Sequence, residues 1–210
     1  MARPKPIAAR PVSPNNPCPF LRALVAQGQL SDTVEPLGRV AGTIAAVARE
    51  GDGEPSLPAA AIGLIALIAN GLWPWQALGT AVQGLRLNAL RDGPLDKHGA
   101  GSGILNAKGQ VVKAELARLD SFAADKADPA GGQERGLDLA DLRRYMDANF
   151  ERAAGHRRAI DRKLMDGEWP VLLKVMGKGR GAARYLSLAE VRALFTERRL
   201  PARMQARRVG

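Results

Sequence analysis

One cysteine occurs in the chain, and a proline stands on each side of it: Pro17, Cys18 and Pro19, followed by "FLRALVAQG". With Cys18 as a helix N-cap, Pro19 takes the first helical position, where proline's missing N–H has no intrahelical partner to lose. The sulfur then faces free backbone N–H groups and the positive end of the helix dipole, both of which favour its thiolate. The flanking prolines stiffen the backbone and fix the side chain's direction. A thiolate held this way suits an axial ligand to haem iron, where sulfur donation favours O–O cleavage. The spacing alone reads equally well as a small buried hydrophobe beside two prolines.

Two further residues could move protons. Glu168 lies between Gly167 and Trp169, just ahead of "PVLLKVMG". A carboxylate among apolar neighbours is costly, and its raised pKa suits general acid–base work. The competing reading is a residue near a helix start with its head in water. His98, in the Gly-rich stretch "LDKHGAGSG", could orient that carboxylate or be a plain loop histidine. His156 lies in the charged "AGHRRAIDRK" and reads as a surface residue.

These residues need elements to position them, and the patterning is mainly helical. Aromatics make up only 4% of the chain, and Ala, Leu, Gly and Arg are abundant, which favours helices over strands. Phe20, Leu21, Leu24 and Val25 form one helical stripe, with Gly28 as the stop. Leu37, Val40, Ile44 and Val47 mark a second helix. Residues 55 to 85 carry no charged side chain, yet the cleanest apolar stretch, Leu57 to Ile68, has only 12 residues. A bilayer-spanning helix needs ~20, so a helix buried in the core is expected. A helix is read over Val111 to Phe122 and another from "LDLADLRRYM". A last helix opens at Ser187, with Glu190 completing a capping box. The expected fold is all-α, a single helical domain with a buried apolar central helix and long Gly-rich polar loops. Its expected organisation is an extended arm over 1–16, the helical domain over 17–204 and a basic tail over 205–210.

"NPCPFLRALVAQG" resembles the proximal motif of the fungal chloroperoxidase and unspecific peroxygenase family of haem-thiolate enzymes. Pro17, Cys18, Pro19, Leu21, Leu24, Ala26 and Gly28 carry the likeness. "EVRALFTERRLPARM" is similar to the family's closing helix, through Leu200 and Pro201. "DGEWPVLLKVMG" is similar to the helix that bears the family's distal acid, which makes Glu168 that acid. "LDKHGAGSG" lies against the family's Glu-His-Asp…Ser motif at His98 and Ser102, but Lys97 and Gly99 replace the two acids. The resemblance implies haem b held by the Cys18 thiolate, with Glu168 and His98 on the distal side. It also implies a magnesium or calcium ion near a haem propionate, for which Ser102 and Asp96 are the remaining candidate ligands. Lysine cannot ligate a hard cation, so that site is damaged. The implied activity uses hydrogen peroxide to oxidise or oxygenate a small organic substrate. On this reading Trp73, Trp75 and Phe20 are candidate pocket walls.

Two rival readings remain. "EWPVLLKVMG…YLSLAEVRALF" also resembles caleosin-type peroxygenases, and "NAKGQVVKAEL" sets Gly109, Val111 and Glu115 at positions 6, 8 and 12 of a degenerate calcium loop. Alternatively the chain is a non-enzymatic basic helical adaptor. The net charge of +10 and the Arg-rich C-terminal segment suit an acidic partner or a membrane surface, and no motif indicates specific nucleic-acid binding. The lone cysteine excludes an intrachain disulfide, and the N-terminus has no apolar signal core, so a cytoplasmic protein is expected, with peripheral membrane contact as the alternative.

Overall fold

The computed structural model describes residues 10–49, 69–71, 73–91, 93, 95–97 and 99–204. The apolar segment Leu57 to Ile68 lies outside them. Helix α1 (Pro19–Ala26) forms as its stripe requires: Phe20, Leu24 and Val25 are buried, and Gly28 ends it at φ +71° with its N–H bonded to Val25 O. Only glycine adopts that backbone readily. Helix α2 (Leu37–Arg49) buries Val40 and Val47. Helices α3 (Pro74–Gln83), α4 (Lys113–Asp120), α5 (Leu139–Arg152), α6 (Ala159–Asp166), α7 (Trp169–Met176) and α8 (Leu188–Thr196) follow. Among the described residues no helix is long and apolar enough to cross a membrane.

The centre of the body is α7. It packs against α2, α5 and α6, and its first residue, Trp169, is buried. The Trp169 ring meets Tyr145 of α5 edge-on at 5.5 Å and approaches Phe195 of α8 at 6.3 Å. Edge-to-face contacts of this kind add to the burial itself. So the helix that begins after Glu168 is fixed in place by an aromatic cluster.

The all-α expectation is overturned. Among the described residues the fold is mixed, mostly helical but with two small antiparallel sheets. Strands β1 (Val34–Glu35) and β2 (Leu85–Arg86) form a ribbon. Strands β3 (Ala124–Ala127), β4 (Gln133–Asp138) and β5 (Tyr185–Ser187) form a sheet in that order, with Leu137 opposite Leu186. Turn chemistry outweighs the low aromatic content here. The Asp128 carboxylate accepts the Ala130 N–H, and Gly131 and Gly132 take positive φ, which folds β3 back on β4. Glu134 then bridges the sheet, accepting the Tyr185 hydroxyl at 2.7 Å and the Ser187 hydroxyl at 2.8 Å.

That second bond displaces the expected capping box. Ser187 is the N-cap of α8, but its hydroxyl is spent on Glu134, and Glu190 pairs with Arg203. A reciprocal cap does form at α5. Asp138 accepts the Ala140 and Asp141 N–H groups, and the Asp141 carboxylate accepts the Asp138 N–H. Burial opposes the Asp138 charge, but Lys126 and these N–H groups outweigh it and hold the carboxyl below its ordinary range. A depressed acid stabilises above its unfolded pKa and loses that contribution as pH falls through its folded pKa. Asp138→Ala should therefore lower the unfolding free energy by about 1–2 kcal/mol at neutral pH. In urea titrations at falling pH, the gap between the variant and the unmodified chain should close below the ordinary aspartate range.

Candidate functional site

The N-terminal stretch is anchored before Cys18 is reached. The Ser13 N–H donates to the Asp32 carboxylate, the Leu90 and Arg91 N–H groups donate to Asn15 O, and Asn16 is fully buried. The Asn16 side chain accepts the Cys18 N–H at 3.2 Å. One turn on, Arg22 is buried with 3% exposure, and its guanidinium donates to the carbonyls of Ser13, Asn16 and Gly109. Cys18 is thus the N-cap of α1 with extended backbone (φ −79°, ψ 112°), and Pro19 follows in the first turn, as its sequence context predicts.

The cysteine opens onto a cavity of about 620 Å³. Its walls are largely aliphatic, from Leu21, Val40, Ile44, Leu95, Leu105 and Val171 among others, and Phe20 and Phe195 contribute aromatic rings. Glu168 lines the same space as the N-cap of α7. Two helix starts therefore bring the thiol and the carboxylate to one chamber. Residues 95–97 and 99–103 provide a further wall and bring Asp96 and Ser102 to it. Of the residues singled out by sequence, Cys18, Glu168, Asp96 and Ser102 thus share one cavity. His98 lies outside the described residues.

Sequence reasoning counted Lys97 as a defect in a cation-binding motif. In the structure its ammonium lies 3.2 Å from the Glu168 carboxylate inside the cavity, with the two side chains 17% and 29% exposed. Burial disfavours the Lys97 charge, but attraction to the Glu168 carboxylate and the hydrogen bond Lys97 donates to it outweigh this, so its pKa is raised above the ordinary lysine value. Glu168 is therefore not an unpartnered carboxylate among apolar walls. A signal for this pairing was available in the sequence: a carboxylate placed among apolar residues needs a cation, and Lys97 stands beside the candidate histidine.

The expectation of a depressed thiol pKa is not met. Burial pushes the Cys18 thiol up, and the Leu21 and Phe20 backbone N–H groups only partly offset this. The negative charge of Glu168 adds to the rise and the positive charge of Lys97 opposes it. Without a coordinating cation, the sulfur holds its proton across the neutral range.

Trp73 and Trp75 are not pocket walls. They stack on each other at 5.1 Å and are 62% and 65% exposed, so the α3 start turns them to solvent. Asp96 and Ser102 each have local partners: the Asp96 carboxylate accepts the Lys97 N–H, and the Ser102 hydroxyl accepts the Ile104 N–H. Both oxygens of Glu115, the last position of the calcium-like loop, accept from Arg152 at 2.7 and 2.8 Å. An arginine thus neutralises the carboxylate on which such a loop relies. Among the described residues no group of three or more His, Cys, Asp or Glu side chains is arranged to hold a metal ion.

No family model, curated protein or solved structure matches the chain.

A raised thiol pKa has a direct chemical consequence. At pH 8, alkylation of Cys18 by iodoacetamide should run on the order of tenfold slower than alkylation of the urea-unfolded chain. The two rates should converge only above the ordinary thiol range. Because the folded thiol keeps its proton longer than the unfolded one, stability falls as pH rises from the unfolded to the folded pKa.

Proposed function

We propose that the cavity binds haem through Cys18 and that the protein is a haem-thiolate peroxidase or peroxygenase related to the chloroperoxidase and unspecific peroxygenase family. The observation that carries this reading is the shared chamber, lined by a cysteine at the start of α1 and a carboxylate at the start of α7. The residues fit such a group in three respects. The volume falls within the roughly 300–1,000 Å³ of pockets that enclose a small organic ligand. The aliphatic lining matches a porphyrin's apolar faces. The one thiol opens onto the space, where a metal would take its proton despite the raised pKa.

When bound, haem supplies an iron centre that peroxide oxidises, with thiolate ligation favouring O–O cleavage. The chain's own task is proton management. With haem held by Cys18, Glu168 would be the acid–base group that takes up a peroxide proton and gives it back as water leaves. Lys97 positions that carboxylate and balances its charge within the low-dielectric cavity. Most of the remaining wall is aliphatic, which fits an apolar organic substrate, with Arg91, Asp96, Ser102 and Lys163 as its polar residues.

Titration of the purified chain with haemin tests the reading. The expected result is saturable uptake near one equivalent and a ferrous–CO band far to the red of the histidine-ligated position. Cys18→Ala should abolish that band. Glu168→Gln should leave haemin uptake and the band intact while peroxide turnover drops roughly a hundredfold or more. A histidine-type spectrum, or a red-shifted band that survives Cys18→Ala, would remove the assignment.

A further inference from the structure

Helix α3 presents an apolar face that is left exposed among the described residues. Trp75, Leu78 and Val82 recur at spacings of three and four, so they share one side of the helix, and they are 65%, 65% and 77% exposed. Trp73, at the helix start, extends that side by stacking on Trp75 with the two rings nearly parallel. At the other end of α3, the Val34 side chain abuts Gly84 and is itself exposed. Large apolar side chains that are exposed side by side, rather than singly, mark an interaction surface.

The charges around this face show its partner. Helix α3 has no charged residue. Two exposed cations lie near its end: Arg86 of the ribbon, which is the register partner of Val34, and Arg39, in the first turn of α2 just after β1, which is 60% exposed. The acids of the same region turn inward. Glu35 is buried, and its carboxylate accepts the Ser31 N–H and faces Arg39 at 3.6 Å, while the Asp32 carboxylate is taken by the Ser13 N–H. The result is an apolar strip bordered by arginine, on a chain of net charge +10. Paired tryptophans beside aliphatic side chains suit the boundary between headgroups and acyl chains, and the arginines suit anionic headgroups.

We propose that α3, with the adjoining β1–β2 ribbon, is a docking face for the surface of an anionic lipid bilayer. Trp73, Trp75, Leu78 and Val82 enter the headgroup boundary while Arg39 and Arg86 meet the lipid phosphates. The chain lies on the bilayer and does not span it. This inference is independent of whether the cavity binds haem.

Sedimentation with vesicles tests it, using the full chain. Vesicles of equal parts phosphatidylcholine and phosphatidylglycerol should carry the protein down, and vesicles of phosphatidylcholine alone should carry down much less. Tryptophan emission should shift to the blue on binding. Trp169, the third and last tryptophan, is buried at 2% exposure and reports only a constant background. The double variant Trp73→Ser/Trp75→Ser should bind the anionic vesicles roughly tenfold more weakly or worse, and Leu78→Ser/Val82→Ser should weaken binding as well. Both variants alter exposed side chains, so their thermal unfolding should match the unmodified chain. Arg86→Glu should weaken binding most at low salt. Failure to sediment with either vesicle overturns the proposal, and so does equal binding by the tryptophan variant, which would mean adhesion by net charge alone. A concentration-dependent dimer that disappears in the tryptophan variant, with no vesicle binding, would assign the face to a second copy instead.

Discussion

The buried guanidinium of Arg22 is the interaction on which the rest of the molecule depends. A charge with 3% exposure is tolerable only when its donors are used, and three carbonyls take them. Those carbonyls belong to the turn before α1 and to the loop before α4, so one side chain ties together segments 87 residues apart in sequence. Gly109 completes the arrangement, with φ +68° and a Cα so close to Arg22 that an added Cβ would lie 3.0 Å from the guanidinium nitrogens. Through Asn16, whose carbonyl meets Arg22 and whose amide oxygen holds the Cys18 N–H, the same network fixes the start of α1. The direction of the thiol is thus set by backbone held from behind.

The opposite side of the cavity rests on a different constraint. Glu168 is positioned because Trp169 cannot move: its ring is locked between Tyr145 and Phe195, so the residue before it faces the chamber. Aromatic packing fixes the backbone, and an ion pair with Lys97 then fixes the side chain. Removing either partner of a semi-buried pair leaves the other uncompensated, which is the costly direction. The cavity wall therefore carries charges of both signs, Arg91, Lys97 and Lys163 against Asp96 and Glu168, beside one protonated thiol.

How much of this was legible in the sequence varies by residue. The N-cap role of Cys18 follows from local rules, because two prolines and a following helical stripe act within one turn. Glu168 at a helix start was readable for the same reason. The strands were not, since their stability comes from partners far along the chain: Glu134 reaches Tyr185 and Ser187 across 51 and 53 residues. The hairpin between them did carry a signal, Asp-Pro-Ala-Gly-Gly, that the composition argument overrode. The capping box at Ser187 failed because a tertiary acceptor competed for its hydroxyl. The thiolate expectation failed because the helix terminus was weighed without the desolvation that a cavity imposes. Trp73 and Trp75 were read as wall because aromatic residues are usually inside, and their exposure depends on where α3 lands.

The same reasoning explains how a basic chain distributes its charge. Acid after acid is consumed internally by a cation: Glu168 by Lys97, Glu134 by Lys178, Asp138 and Asp141 by Lys126, Glu115 by Arg152, Glu190 by Arg203. Each of these acids also anchors an element, whether a helix start, a strand or the end of a loop. With 31 Lys and Arg against 21 Asp and Glu, pairing acids inward leaves the surplus cations at the surface. The positive exterior is thus a by-product of how the interior is held together. It follows that salt acts on two separate populations, screening the outward arginines strongly and the partly buried pairs weakly. Raising ionic strength should loosen electrostatic contacts made by the surface well before it disturbs the pairs that shape the cavity.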